Sequence, residues 1–124
     1  MKVGITGASG VLGNILVEKV KQKGYECFSF EGDITEVEDI KKWIDSSNFD
    51  SVLHLAAIVP PSEVKNSLAK AFAVNSVGTK NLADILSEKS NKTWLFYAST
   101  SHVYKSNEEP ISEDDEIEPI SEYG

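Results

Sequence analysis

The stretch Lys2-Val-Gly-Ile-Thr6, followed by Gly7-Ala-Ser-Gly10-Val-Leu-Gly13, decides the fold of this 124-residue chain. A short, largely apolar strand begins almost at Met1, glycines recur at every third position after it, and Asn14 to Lys23 then has helical periodicity. A strand that runs through close-set glycines into a helix builds an anion cradle. The glycines let backbone approach a phosphate without an intervening Cβ, and the helix N-terminus offers unpaired N–H groups and a partial positive charge. The spacing here is G-x-x-G-x-x-G, not the G-x-G-x-x-G of the dinucleotide fingerprint, and Asn14 stands where a triphosphate-binding loop would need lysine.

Working outward, apolar runs alternate with helical patterns, which is the signature of βαβ units and a parallel sheet. The first helix carries Leu12, Ile15, Leu16 and Val20 on one face and is ended by Gly24. Tyr25 to Phe30 reads as the second strand. Glu36 to Ser46 reads as a helix with Val37, Ile40 and Ile44 inward and Thr35 as its N-cap. Ser51 to Leu55 is a third strand, Ala56 to Val64 a loop containing Pro60-Pro61, and about Asn66 to Ser87 one long helix interrupted by Gly78. Thr93 to Ala98 is the last strand. Right-handed crossovers then put the first strand at the centre, with 25–30 on one side and 51–55 and 93–98 on the other. The fold class is α/β, a Rossmann-like parallel sheet with helices on both faces. A ligand belongs across the carboxyl ends of the strands, at the switch point between the first strand and the strand ending at Leu55.

The net charge of −8 is local. Residues 1–105 hold 12 acidic side chains and all 12 lysines, so the whole excess lies in the segment from Ser106 to Gly124. That division predicts a binding domain over 1–105 and an acidic loop or tail over 106–124; the alternative for such a run is a docking segment for a basic partner. The chain has no arginine and no lysine cluster beyond Lys19, Lys21 and Lys23, so nucleic acid is not an expected partner. Cys27 is alone and sits in an apolar run, which excludes an internal disulfide and reads as a small core residue. No apolar run reaches the ~18 residues a membrane span needs. The first strand leaves no room for a signal peptide, so a cytoplasmic location is expected. No metal site is expected.

Four further segments fall where the crevice would be: Glu31-Gly-Asp33-Ile-Thr35, His54-Leu-Ala-Ala57, Asn75-Ser-Val-Gly-Thr79 and Ser99-Thr-Ser-His-Val-Tyr104. With the glycine turn and Tyr123-Gly124 they appear in the order found in the extended short-chain dehydrogenase/reductase family, which the chain resembles over about the first 40% of a member of ordinary length. That family includes nucleotide-sugar epimerases, dehydratases and 4-keto-sugar reductases. The resemblance implies an NAD cofactor, or NADP, and a nucleotide-sugar substrate. It implies that Gly7, Gly10 and Gly13, with the backbone of Val11 and Leu12, hold the pyrophosphate, and that Asp33 and Ile34 contact the adenine. Leu55, Ala56 and Ala57 would line the nicotinamide-side ribose, and Asn75 would brace the central strands. Thr100 would bond a substrate oxygen, and Tyr123 would be the tyrosine of a Tyr-x-x-x-Lys pair that moves the proton.

A free phenol titrates near pH 10, so only ~0.1% is phenolate at pH 7, which is why a lysine belongs one helical turn on. The matching position would be 127, beyond Gly124. The chain as given is therefore expected not to turn over, and to self-associate through apolar surface on the long helix at 66–87 that the continued helix would cover. A dinucleotide-binding or regulatory module without catalysis is the alternative. Glu31 reads either as the acid that binds the adenosine ribose 2′-hydroxyl, favouring NAD, or as an exposed turn residue. His54 reads as a hydrogen-bonded core histidine, and Ser101 and His102 as strand-end residues or as groups facing the reacting region.

Overall fold

The structure, a computed structural model, describes residues 1–59, 61–90 and 92–124. Its elements are β1 (Lys2–Thr6), α1 (Val11–Gln22), β2 (Glu26–Ser29), α2 (Val37–Asp45) and β3 (Ser51–His54), then α3 (Pro61–Asn66), α4 (Leu68–Phe72), a π-helical segment (Ala73–Gly78), α5 (Thr79–Ser87), β4 (Trp94–Tyr97) and a single 3-10 turn (Ser101–Val103). The strands form one parallel sheet in the order β2-β1-β3-β4. Val3 stands opposite Cys27 on one side and Ser51 on the other, and Thr6 stands opposite His54. The order expected from the βαβ alternation is the order found.

Alternation along each strand divides the sheet into two unequal faces. Gly4 and Val52 share a face with Trp43, whose ring would lie 2.9 Å from a Cβ at Gly4. On that face α2 and α5 close the core of Ile34, Ile40, Ile44, Phe49, Val52, Leu82, Ile85 and Leu86. Phe28, Trp43 and Phe30 extend it through tilted and edge-on ring contacts at 4.9–5.5 Å. On the opposite face, among the described residues, α1 lies over β1 and β2. The sequence expected Leu12 and Ile15 to face inward, yet they are 51% and 52% exposed, and Gly13 is the buried residue of α1. The reason is that none of the described elements packs over the shoulder of α1 toward β3 and β4. Trp94 and Phe96, on the same bare half-face, are 60% and 40% exposed.

Three boundaries differ from expectation, each for a local reason. Helix α1 starts at Val11, not Asn14, because Gly10 is extended and already accepts from the Asn14 N–H. Thr35 does not cap α2. The cap position is Glu36, and Thr35 instead gives both its N–H and its hydroxyl proton to Asp33 Oδ1, at 2.9 and 2.7 Å. The loop expected over 56–64 gives way to α3 at Pro61, a residue preorganised for the first turn of a helix; Pro60 lies outside the described residues. The long helix expected over 66–87 is divided at Ser67 and widened into a π turn at Ala73–Gly78.

The acidic segment returns on itself. Tyr104 and Ile117 form an antiparallel bridge, the Lys105 N–H donates to the Glu116 carbonyl at 2.9 Å, and the Lys105 ammonium reaches Glu116 and Glu118, each at 3.0 Å. Those carboxylates, Glu118 first, hold the lysine pKa above its ordinary value. Tyr123, expected at the start of a helix, lies in none.

Gly78 allows a direct test of packing against propensity. In an isolated helix, alanine would be favoured over glycine by about 1 kcal/mol. Here a Cβ would sit 2.8 Å from the Ile34 carbonyl oxygen and press on the Ile34 side chain. Gly78→Ala is therefore expected to lower stability, by roughly 1–3 kcal/mol, in urea unfolding followed by circular dichroism. A gain in stability would contradict the packing described.

Candidate functional site

The glycine turn is built by contacts that exclude side chains. Gly7 has φ +68, and a Cβ there would fall 2.7 Å from the Ala56 nitrogen and from the Leu55 carbonyl carbon. The Gly7 carbonyl accepts from the Gly10 N–H at 3.0 Å and closes the turn. At Gly13 a Cβ would lie 2.1 Å from the same carbonyl oxygen, so the first turn of α1 sits directly on the glycine loop. Gly10 is less constrained, with φ −73 and Gly7 O at 3.3 Å from a built Cβ. Among the described residues no side chain caps α1 and no acidic residue occupies its first turn, so a ligand meets no side-chain cap at this helix end. The Asn14 side chain donates to the Ser9 carbonyl at 3.2 Å and steadies the loop.

Beside this turn opens a cleft of about 820 Å³. One wall is Gly7, Ala8, Ser9, Asn14 and Val17; the other is Ser29 to Ile34, with Ala56 between them. It lies over the carboxyl ends of β1 and β2, on the carboxyl edge expected for a ligand. Its place is between β1 and β2 and not at the expected switch point between β1 and β3; of the described residues after β3 only Ala56 lines it. Of the residues singled out from the sequence, Gly7, Glu31, Asp33, Ile34 and Ala56 line it directly. Gly10, Val11, Leu12 and Gly13 form the loop and helix end at its margin, and Leu55 lies behind Gly7. The sequence reading passed over Asn14 and Val17, which share one face of α1 at a spacing of three, and Ser29, Phe30 and Gly32, which follow from the end of β2. Helical spacing from Gly10 would have found the first pair. Asp33 is held below the ordinary carboxyl pKa, first by the Thr35 N–H and then by the Thr35 hydroxyl. Its own N–H donates to Asp39 Oδ2 at 2.9 Å, which ties the β2 loop to α2.

Two other groups of predicted residues lie apart from the cleft lining. Asn75 sits in the π turn and holds Ile58 by both of its backbone groups. Its Oδ1 accepts from the Ile58 N–H at 2.8 Å, and its Nδ2 donates to the Ile58 carbonyl at 2.9 Å. It thereby braces the loop that contains Ala57. Beyond β4, Thr100 Oγ1 accepts from the His102 N–H at 3.2 Å, and the Tyr123 ring meets the His102 ring edge-on at 5.4 Å. His102 is the residue that Thr100 and Tyr123 share.

The match to known proteins is continuous. The family described as RmlD substrate binding domain covers residues 1–124. This chain belongs to that family, within the extended short-chain dehydrogenases/reductases. It is 30% identical to a dTDP-4-dehydrorhamnose reductase of Mycolicibacterium smegmatis, over 99% of this chain and 38% of the relative. Among solved structures, a dTDP-4-dehydrorhamnose reductase of Clostridium acetobutylicum superposes with TM-score 0.90 at 32% identity, over 100% of this chain and 45% of that one. The enzyme of the same name from Bacillus anthracis, in complex with NADP, gives TM-score 0.88 at 27% identity, over 99% and 45%. The chain thus spans less than half the length of these relatives. No helix among the described residues is long and apolar enough to cross a membrane.

His54 is 2% exposed, and burial lowers its pKa from 6.5 to about 4. The unfolded chain therefore binds a proton below about pH 6.5 that the folded chain refuses. The neutral-histidine contribution is complete above that pH and is lost as the pH falls from 6.5 toward 4. The loss approaches about 3 kcal/mol. Urea unfolding of the wild type and of His54→Gln, which carries no titrating ring, is expected to give a stability difference that depends on pH across this window. A difference independent of pH would contradict the buried neutral state.

Proposed function

We propose that residues 1–124 form the NAD(P)-binding part of a nucleotide-sugar reductase or epimerase. The observation that carries this reading is the cleft at the carboxyl ends of β1 and β2. The N-terminal end of α1 borders it, and its loop contains two glycines whose Cβ positions are already filled by neighbouring backbone. The relative solved with NADP supports the choice of ligand. Gly7, Gly10, Val11, Leu12 and Gly13 hold the pyrophosphate through N–H groups, and Asp33 and Ile34 border the adenine. Glu31 lies on the β2 wall, where a carboxylate can accept from the adenosine ribose 2′-hydroxyl and so favours NAD; NADP, held by a relative, is the alternative cofactor. Leu55, Ala56 and Ala57 follow the second ribose, and Asn75 fixes their loop. The division into a binding domain over 1–105 and an acidic loop over 106–124 belongs to the same proposal.

The nicotinamide, when bound, supplies or takes the hydride. The chain's own contribution is to hold a sugar oxygen at the Thr100 hydroxyl and to exchange its proton with the Tyr123 phenol. A cation near that phenol would bring its pKa toward neutrality. Residues 1–124 by themselves are expected to bind dinucleotide without sustained turnover of nucleotide sugars, as followed by reduced-nicotinamide absorbance. Steady turnover abolished by Tyr123→Phe would overturn that expectation. Leu68, Phe72 and Val77, exposed along the helical stretch at 66–87, are the surface through which this chain would self-associate; a monomer at high concentration in light scattering would count against it.

Gly10→Asp separates ligand binding from folding. The backbone at 10 suits any residue, and an aspartate at a helix N-cap is itself stabilising. Thermal stability is therefore expected to hold or rise, while calorimetric affinity for NAD and NADP falls by roughly tenfold or more, because a carboxylate would face the phosphates. Equal affinity in wild type and variant would refute the cradle.

A further inference from the structure

His54 joins the two halves of the crevice through side chains that line no part of it. Thr6 Oγ1 lies 2.6 Å from His54 Nδ1, and Thr79 Oγ1 lies 2.8 Å from Nε2. The Thr79 hydroxyl donates to the Asn75 carbonyl at 2.7 Å. The Ala56 N–H donates to Thr6 Oγ1 at 3.1 Å, and the Leu55 N–H is shared between Thr6 Oγ1 at 3.1 Å and the Thr6 carbonyl at 3.3 Å.

Counting protons leaves one arrangement. A carbonyl only accepts, so the single hydroxyl proton of Thr79 is committed to Asn75, and Thr79 Oγ1 must accept from Nε2–H. A neutral imidazole protonated at Nε2 has a bare Nδ1, which needs a donor. Thr6 supplies it, because both amides at its oxygen are donors and leave its own proton free. The reverse tautomer would crowd a third donor onto Thr6 and strand its hydroxyl proton. The chain of donation therefore runs in one direction, from the Leu55 and Ala56 amides through Thr6, His54 and Thr79 to Asn75.

On the reading that this crevice holds a dinucleotide, we infer that His54 is its positioning residue, fixing the Leu55–Ala56 peptide against Gly7 and, through Thr79, the helix turn from which Asn75 holds Ile58. The Leu55–Ala56 peptide is the surface that fills the space of a Cβ at Gly7, so its placement sets the back of the glycine loop. At the other end, the π turn carries Asn75 to the loop that follows β3. One imidazole thus couples the phosphate side of the cleft to the loop over its far end, with no atom exposed to ligand.

The test uses the whole 124-residue chain with Thr79→Val, which breaks the chain of donation far from the cleft, and Thr79→Ser, which restores it. Imidazole ¹⁵N spectra of the wild type at neutral pH are expected to show the Nε2–H tautomer; an Nδ1–H tautomer or an imidazolium overturns the inference. In Thr79→Val, amide exchange at Leu55 and Ala56 is expected to accelerate roughly tenfold relative to the Phe30 N–H. That control amide bonds the Ile5 carbonyl on the other side of β1. Thr79→Ser is expected to return it to the wild-type ratio. Equal acceleration at all three amides would mean general destabilisation and overturns the inference, as does no change. Should valine prevent folding, Thr79→Ala gives the same reading. Affinity for NAD is expected to fall roughly five- to tenfold in Thr79→Val and to recover in Thr79→Ser; unchanged affinity overturns the positioning role. If the wild type binds neither NAD nor NADP, the cofactor reading fails, and the tautomer and exchange ratios alone decide the inference.

Discussion

The contact between Gly13 and the carbonyl of Gly7 is the constraint on which the rest of the site depends. No side chain tolerates an oxygen 2.1 Å from its Cβ, so only glycine lets α1 sit directly on the loop that leaves β1. That seating carries the N–H groups of the helix end to the margin of the cleft and places Asn14 and Val17 on its wall. Gly7 makes a second such approach, against the Leu55–Ala56 peptide, and does so at a positive φ that a side chain resists. The glycine loop is thereby clamped between α1 and the end of β3. The cleft is a product of backbone proximity more than of any side chain.

Behind that clamp, the buried pair Thr6 and His54 is fully committed. Thr6 and His54 are buried in the middle of a parallel sheet, where an unpaired polar group would cost roughly 1–3 kcal/mol. Each is satisfied by a neighbour, and burial keeps the imidazole neutral. The Thr6 hydroxyl also takes the first amides after β3, the Ala56 N–H and the Leu55 N–H, the latter shared with the Thr6 carbonyl. Stability and the geometry of the crevice wall therefore rest on the same few atoms.

The two faces of the sheet differ in completeness. One is closed by α2 and α5 over an aromatic and aliphatic core, with Gly4, Gly32 and Gly78 each allowing a close approach. On the other, among the described residues, α1 lies over β1 and β2, and β4 presents Trp94 and Phe96 largely exposed beside it. Beyond the end of β4 the His102 and Tyr123 rings meet edge-on, and the acidic segment returns along Tyr104 and Lys105. Lys105 matters here as the cation that gathers Glu116 and Glu118.

The sequence by itself determined the parallel order of the strands, the glycine loop and the carboxyl edge of the sheet as the side of the crevice. Those features follow from local rules: apolar runs alternating with helical periods, glycines where backbone must approach backbone, and crossovers of one hand. It also marked Glu31, Asp33, Ile34 and Ala56, because strand ends in this topology converge on one edge. Tertiary structure alone decided what depends on contacts between distant segments. The exposed flank of α1 was illegible because an amphipathic pattern reports which side is apolar and not whether a neighbour covers it. The π turn around Asn75 was illegible because its widening matches the helix to Ile34 and Ile58, residues far away in sequence. Asp33 drew Thr35 away from the capping role that its position suggested. The tautomer of His54 follows from hydroxyls at 6 and 79 that only folding brings to its two nitrogens.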